Sequence, residues 1–176
     1  EGEVLDLAVV LAPLSKEQLE FIIAKLVATS DELGEEVLKL AKLPVPLEPI
    51  QQAVVAAMQL DESQMMEELQ VLLSQGRDYA TADDCPNAIA VARAVTDPFV
   101  SSCPEDDSEE LQDFFREMEE TWNAIVQVSG ASEWDMIDGL LSGWKSTLTK
   151  KHGPIFSDAL RALSRRRKEA GGGGGG

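Results

Sequence analysis

The side chains that could do chemistry are few and scattered. His152 is the only imidazole among 176 residues, so a two-histidine metal site is excluded within the chain. Cys85, Cys103 and His152 could together offer three zinc ligands, but none of them has the close-pair spacing of zinc sites. The acidic runs Asp61-Glu62, Glu67-Glu68 and Glu105 to Glu110 lack the alternating ligands and central glycine of a calcium loop, and read as solvated helix starts and loops. No glycine-rich loop is present to cradle a phosphate. These residues point to no catalytic group, cofactor or metal, and the chain reads as non-enzymatic.

Residues suited to contacts with partners are more plentiful. The C-terminal cluster Arg165-Arg166-Arg167-Lys168 follows Lys150-Lys151 and could act with it as a two-part nuclear import signal. Its structural alternative is a helix end that complements the helix dipole. Trp134, Ile137, Leu141, Trp144 and Leu148 recur three and four residues apart and read as a core-facing helical stripe. Gly139 and Gly143 sit four apart in the same segment, where each costs about 1 kcal/mol relative to alanine. A tight intrachain helix crossing explains them first, a partner groove second. Pro44-Val45-Pro46-Leu47-Glu48-Pro49 could be a polyproline ligand, but helices on both sides favour a rigid connector.

The elements that position these residues are helical throughout. Ser15 and Gln18 form a capping box ahead of Leu19, Ile22, Ile23, Leu26 and Val27. A shorter helix follows Ser30 with Leu33, Val37 and Leu40 on one face and Lys39 and Lys42 at its end. After the prolines, the apolar pattern from Ile50 to Leu73 predicts one long helix, or two broken near Asp61, ending at Gly76. Another helix starts near Asp84 and is expected to stop at Pro98. Ser101 to Ser108 is an acidic loop. Leu111, Phe114, Phe115, Met118, Trp122, Ile125 and Val126 define an amphipathic helix closed by Gly130, and Ser132 is expected to cap the next. Gly153-Pro154 breaks that helix, and a last one carries Ile155, Ala159, Leu160 and Leu163. No alternation is long enough for a strand. The expectation is an all-α, single bundle of six to eight helices over 1–168, with a flexible glycine tail over 169–176.

Composition narrows the partners. The net charge is -17, which argues against a general nucleic-acid binder. From residue 145 onward, eight basic residues face only two acidic ones, so an acidic body carries a basic end. Two cysteines cannot build a disulfide framework, and neither Asn87 nor Asn123 begins a glycosylation sequon, which fits a reducing compartment. The apolar stretch Val4 to Leu14 is too short to span a membrane and lacks the basic lead of a signal peptide. A start at Glu1 rather than methionine reads as an excerpt of a longer chain.

The order of these features resembles the nuclear proteasome-tethering factor family, whose core is an all-helical bundle likened to 14-3-3 proteins. Leu11-Ala12-Pro13-Leu14-Ser15-Lys16-Glu17-Gln18-Leu19 is similar to the opening of that family's first long helix. A short helix, the Pro44 to Pro49 connector and Arg77-Asp78-Tyr79-Ala80 follow in matching order. Trp122, Gly143-Trp144, Leu148, Lys151-His152 and the helix with Ala159, Leu160 and Leu163 carry the C-terminal part of the likeness. Only Lys16 and Lys25 occur in the first thirty residues, so the family's lysine-rich leading segment, a target of ubiquitin, is absent or lies upstream of this excerpt.

What the resemblance implies is a dimeric adaptor that retains proteasomes in the nucleus, near the nuclear envelope. Taken with the charge pattern, the residues expected to bind partners are Tyr79, Gly143, Trp144, Lys150, Lys151, Arg165, Arg166, Arg167 and Lys168. The proteasome and an import receptor are the expected partners. Two other readings compete: a peripheral protein using its basic C-terminal helix on a membrane surface, and a helical scaffold of unrelated function in the cytoplasm.

Overall fold

The computed structural model describes residues 10–41 and 43–172, with side chains described outside 38–41 and 172. All regular structure in them is α-helical, and the chain divides into two compact units at Leu43/Pro44. The N-terminal residues through Val9, Lys42 and the last four glycines lie outside the described residues, as do the side chains of Lys39 and Leu40.

The first unit holds α1 (Lys16–Thr29) and α2 (Asp31–Ala41). The capping box forms as its spacing predicts: Ser15 Oγ accepts from the Gln18 N–H at 3.2 Å, and Gln18 Oε1 accepts from the Ser15 N–H at 2.8 Å. Ser30 ends α1 and turns its hydroxyl to the Leu33 N–H at 3.4 Å, so one residue closes one helix and caps the next. Gly34 lets the helices approach, since a Cβ there would lie 3.3 Å from Val27 Cγ1.

The second unit is a bundle of α3 (Glu48–Ala57), α4 (Glu62–Thr81), α5 (Cys85–Ser101), α6 (Glu109–Val128), α7 (Ala131–His152) and α8 (Ser157–Gly172). The connector ahead of α3 is docked rather than free: the Val45 N–H donates to Asn87 Oδ1 at 2.8 Å, and Val45 and Leu47 pack on the core. α4 packs on α5 and α6, while α8 closes over α6 and α7. Trp122, Phe99, Phe156, Leu69, Met118 and Leu141 are among the fully buried side chains. Phe99 meets Phe114 edge-on at 4.6 Å, a favoured aromatic geometry.

Several helix boundaries differ from the sequence expectation, each for a physical reason. The Ile50 to Gly76 stretch is two helices, because Asp61 accepts from the Gln64 N–H at 2.9 Å and starts α4 afresh. Gly76 does not end α4. It is a contact point on α5, where a Cβ would sit 3.4 Å from the Ala92 backbone nitrogen. The helix ends at Thr81 instead, and two residues on Asp83 takes the left-handed conformation (φ 60°) while Asp83 and Asp84 donate back to the carbonyls of Ala80 and Tyr79.

Pro98 does not stop α5, which continues through Ser101. The interruption costs about 3 kcal/mol, but the last turn carries Phe99 and Val100 into the core, and that burial offsets it. α7 begins at Ala131 with Gly130 at its cap, so Ser132 lies inside the first turn rather than before it. α8 runs on through Gly172, so Glu169, Ala170 and Gly171 continue the helix where a flexible tail was expected.

Candidate interaction surfaces

Trp144 lies in the core. It is 5% exposed, and its ring packs 5.1 Å from that of Trp122 and 5.9 Å from that of Phe156. Its stripe mates Ile137, Leu141 and Leu148 are buried with it, as the periodicity predicts. Each indole N–H of the chain finds an acceptor: Trp122 on Thr96 Oγ1 at 3.0 Å, Trp134 on Ser129 Oγ at 3.1 Å, and Trp144 on Asp97 Oδ1 at 3.1 Å. A buried tryptophan whose ring is packed and whose N–H is already bonded presents little to a partner.

Gly139 and Gly143 have no close neighbour. A Cβ built on either meets nothing within 4 Å, and both residues are exposed. The intrachain crossing expected at this pair does not form. Tyr79 is half-buried at the end of α4, where it packs on the core and lends its backbone carbonyl to the Asp84 N–H.

The basic cluster divides by helical geometry. Arg166 donates to the Ser129 carbonyl at 2.8 Å, and Arg167 reaches Asp135 at 3.0 Å and Asp138 at 3.6 Å on α7. Those two guanidinium groups fasten α8 to its own bundle. Arg165 and Lys168 turn the other way, are exposed, and make no ion pair among the described residues. Arg161, one turn earlier, is also exposed and holds Asp158 at 2.9 Å. The apolar side of α8 is spent inside: Ala159 and Leu163 are buried together with Ile155 and Phe156 just ahead of it.

Lys150 is exposed at the end of α7, whereas Lys151 pairs with Glu105 at 2.7 Å. The adjacent His152 ring is fully enclosed, with Nδ1 2.7 Å from Asp107 Oδ1 and Nε2 2.8 Å from the Pro104 carbonyl. Because a carbonyl only accepts, Nε2 bears a proton in this arrangement. Lys151 holds the Glu105 carboxyl below its ordinary range by direct hydrogen bonding. The end of α7 thus clamps the acidic 102–108 loop, and His152 is a structural bracket.

The cysteines stand apart from that ring in chemistry. Cys85 is buried at the start of α5 with its thiol donating to the Ile125 carbonyl at 3.9 Å, and burial together with nearby Glu133 pushes its pKa far up. Burial pushes Cys103 up to about 11. Neither is a thiolate at neutral pH. Among the described residues, no group of three His, Cys, Asp or Glu side chains could hold a metal ion, and no helix is long and apolar enough to cross a membrane.

Two surfaces escape a reading by motif. The first is α1, which has no buried residue although it carries Leu19, Phe21, Ile22, Ile23, Leu26 and Val27. Phe21 is 63% exposed and Leu26 50%, with Leu33 of α2 also open at 42%. The signal was present in the sequence: apolar residues at 21, 22 and 23 spread around the helix beyond one stripe, a pattern that calls for cover on more than one side. The second is a hollow between α3, α5 and α7 lined in part by Arg93, Ala94, Asp97 and Met136. Its floor contains the proline read from sequence only as a stop.

No protein-family model matches this chain, and no curated protein or solved structure matches it.

Proposed function

We propose that this chain is a non-enzymatic adaptor that retains proteasomes in the nucleus, near the nuclear envelope, and that it acts as a dimer joined through the α1–α2 hairpin. The observation that supports the dimer is the exposed apolar side of α1. Two short helices cannot enclose a core by themselves, and units below about 40 residues ordinarily need a partner or a cross-link. Phe21, Ile23, Leu26 and Leu33 are each about half exposed, so covering them gains about 1 kcal/mol each per chain, a sum over two chains comparable with the cost of bringing them together.

The choice of proteasome as cargo rests on the order of sequence features shared with the tethering family. The exposed cations Arg165, Lys168 and Lys150 support contact with an acidic face, either on that cargo or on an import receptor. With Arg166 and Arg167 engaged on the bundle, the receptor would read a helical pair of charges rather than a linear run. The lipid alternative is the weaker one, because the apolar residues of 155–163 that would enter a membrane are turned inward.

The test is affinity purification of the full chain from its native cells, with bound proteins quantified against a tag-only control. Proteasome subunits enriched at constant ratios support the reading; proteasome at background, with other partners enriched, overturns it. Light scattering on the purified chain checks the dimer separately. Phe21→Glu with Leu26→Glu is expected to halve the mass while the helical signal of the bundle persists.

A further inference from the structure

Between α3, α5 and the first turns of α7 the second unit is hollowed by a cavity of about 560 Å3. Its floor is the outward stripe of α5, running from Pro86 through Ala90, Arg93 and Ala94 to Asp97 and Pro98. At 1.5 Å per residue that floor is about 18 Å long, some three helical turns. Gln51 of α3 stands on one side, with Glu133 and Met136 of α7 on the other. The shape is a trough between two helices over a third, the space a further helix of the bundle would occupy.

The lining sets the chemistry of what fits. Ala90 and Ala94, one turn apart, have side chains small enough for another helix to approach closely. Pro98 has no N–H, so the Ala94 carbonyl lacks its usual helical donor, and both residues line the trough. Asp97 uses Oδ1 on Trp144, leaving Oδ2 for another donor. Glu133, half-buried, lies toward the other end of the trough beside Cys85, where its Oε2 also accepts from the Gly130 N–H at 3.4 Å. Against these acceptors stands one cation, Arg93, which makes no ion pair among the described residues. A net charge of -17 on the chain adds a general attraction for a basic partner.

We propose that this trough receives a single helix of a partner protein, apolar on the face that meets Ala90 and Ala94 and basic along the edge that meets Asp97 and Glu133. The exposed Met136, whose unbranched side chain adapts to varied surfaces, closes over its apolar face. Arg93 selects for one acidic residue in an otherwise basic helix. The site stands whether or not proteasomes are the cargo, because none of its residues belongs to the α1–α2 hairpin or to the basic stripe of α8.

The experiment titrates the full chain with a labelled 14-residue leucine–lysine amphipathic peptide and with its leucine–glutamate counterpart, following anisotropy and backbone NMR shifts. The lysine peptide is expected to bind with perturbations centred on 47–51, 86–98 and 133–136. Ala94→Phe, which fills the trough, should abolish binding; Ala90→Gln serves the same end if that variant fails to fold. Asp97→Asn with Glu133→Gln should weaken it tenfold or more, while Glu67→Gln with Glu68→Gln on the exposed side of α4 should change it less than twofold. Equal loss from both carboxylate pairs, or shifts spread over the acidic surface, would reduce the binding to net charge and overturn the proposal. So would absence of binding, tighter binding of the glutamate peptide, or shifts at 86–98 that appear on raising the protein concentration alone, which would make the occupant a second copy. Displacement of the peptide by millimolar dodecylamine that itself saturates the trough would mark a small-molecule pocket and equally overturn it.

Discussion

Trp144 donates its indole N–H to Asp97 Oδ1 at 3.1 Å, tying the middle of α7 to the outward edge of α5. The bond explains how one residue can be both core and link: the ring is enclosed by Trp122 and Phe156, while its nitrogen reaches the rim of the trough. Trp144→Ala should therefore destabilise the bundle by about 3–5 kcal/mol, read as a lowered urea midpoint. Trp144→Phe keeps most of the packing and should cost less than half as much. An alanine variant with an unchanged midpoint would place the ring outside the core.

The neighbouring residue does similar work for α6. Thr96 accepts the Trp122 N–H at 3.0 Å and donates its own proton to the Ala92 carbonyl at 2.7 Å. Thr96→Val preserves the shape but leaves a buried indole donor without a partner, at a cost of about 1–3 kcal/mol. Thr96→Ser keeps the hydroxyl and should lose no more than about 0.8 kcal/mol, the worth of one buried methyl. A valine variant as stable as the native chain would show that the hydrogen bond contributes nothing.

Helical periodicity made most of this architecture legible, because side chains three and four apart share a face whatever the fold around them. The stripe from Trp134 to Leu148 and the face from Leu111 to Val126 needed nothing more. Boundaries were less readable where long-range packing overrides local preference. Pro98 is tolerated for the sake of Phe99, and Gly76 is read correctly only with Ala92 beside it. The basic cluster shows the same limit: four consecutive cations look equivalent along the chain, yet a 100° turn per residue sends Arg166 and Arg167 to Ser129, Asp135 and Asp138 and leaves Arg165 and Lys168 outside. The trough was invisible because its walls come from segments some eighty residues apart.

Three backbone positions should accept stabilising changes. Gly139 and Gly143 lie within α7 in open space, so alanine at either should add roughly 0.4–1 kcal/mol by restricting the unfolded chain. Asp83 has φ 60°, a conformation glycine adopts without steric cost, and Asp83→Gly should add a few tenths of a kcal/mol. Thermal melts of the three single variants check all of this. A loss of stability in Gly139→Ala or Gly143→Ala would mean that another backbone does approach that face.

The clamp on the 102–108 loop has a readout in Cys103. With its pKa pushed up to about 11, this thiol is ionised in roughly one molecule in a thousand at pH 8, and alkylation should be slow. His152→Ala removes the partner of the Pro104 carbonyl and leaves Asp107 with Gln112 alone, so the loop should loosen and Cys103 should react at least tenfold faster. Cys85, buried under α6, should be unaffected and serves as the internal control. Acid acts on the other fastening. The Glu105 carboxyl is depressed by Lys151, so its contribution is present above the ordinary carboxylate range and is lost as the pH falls through its lowered folded value. Amide exchange of 102–108, corrected for its intrinsic pH dependence, should accelerate on acidification in the native chain, and Glu105→Gln should remove the Lys151 contribution to that response. Cys103 reacting at the same rate in native and His152→Ala protein would mean that the loop is held without His152.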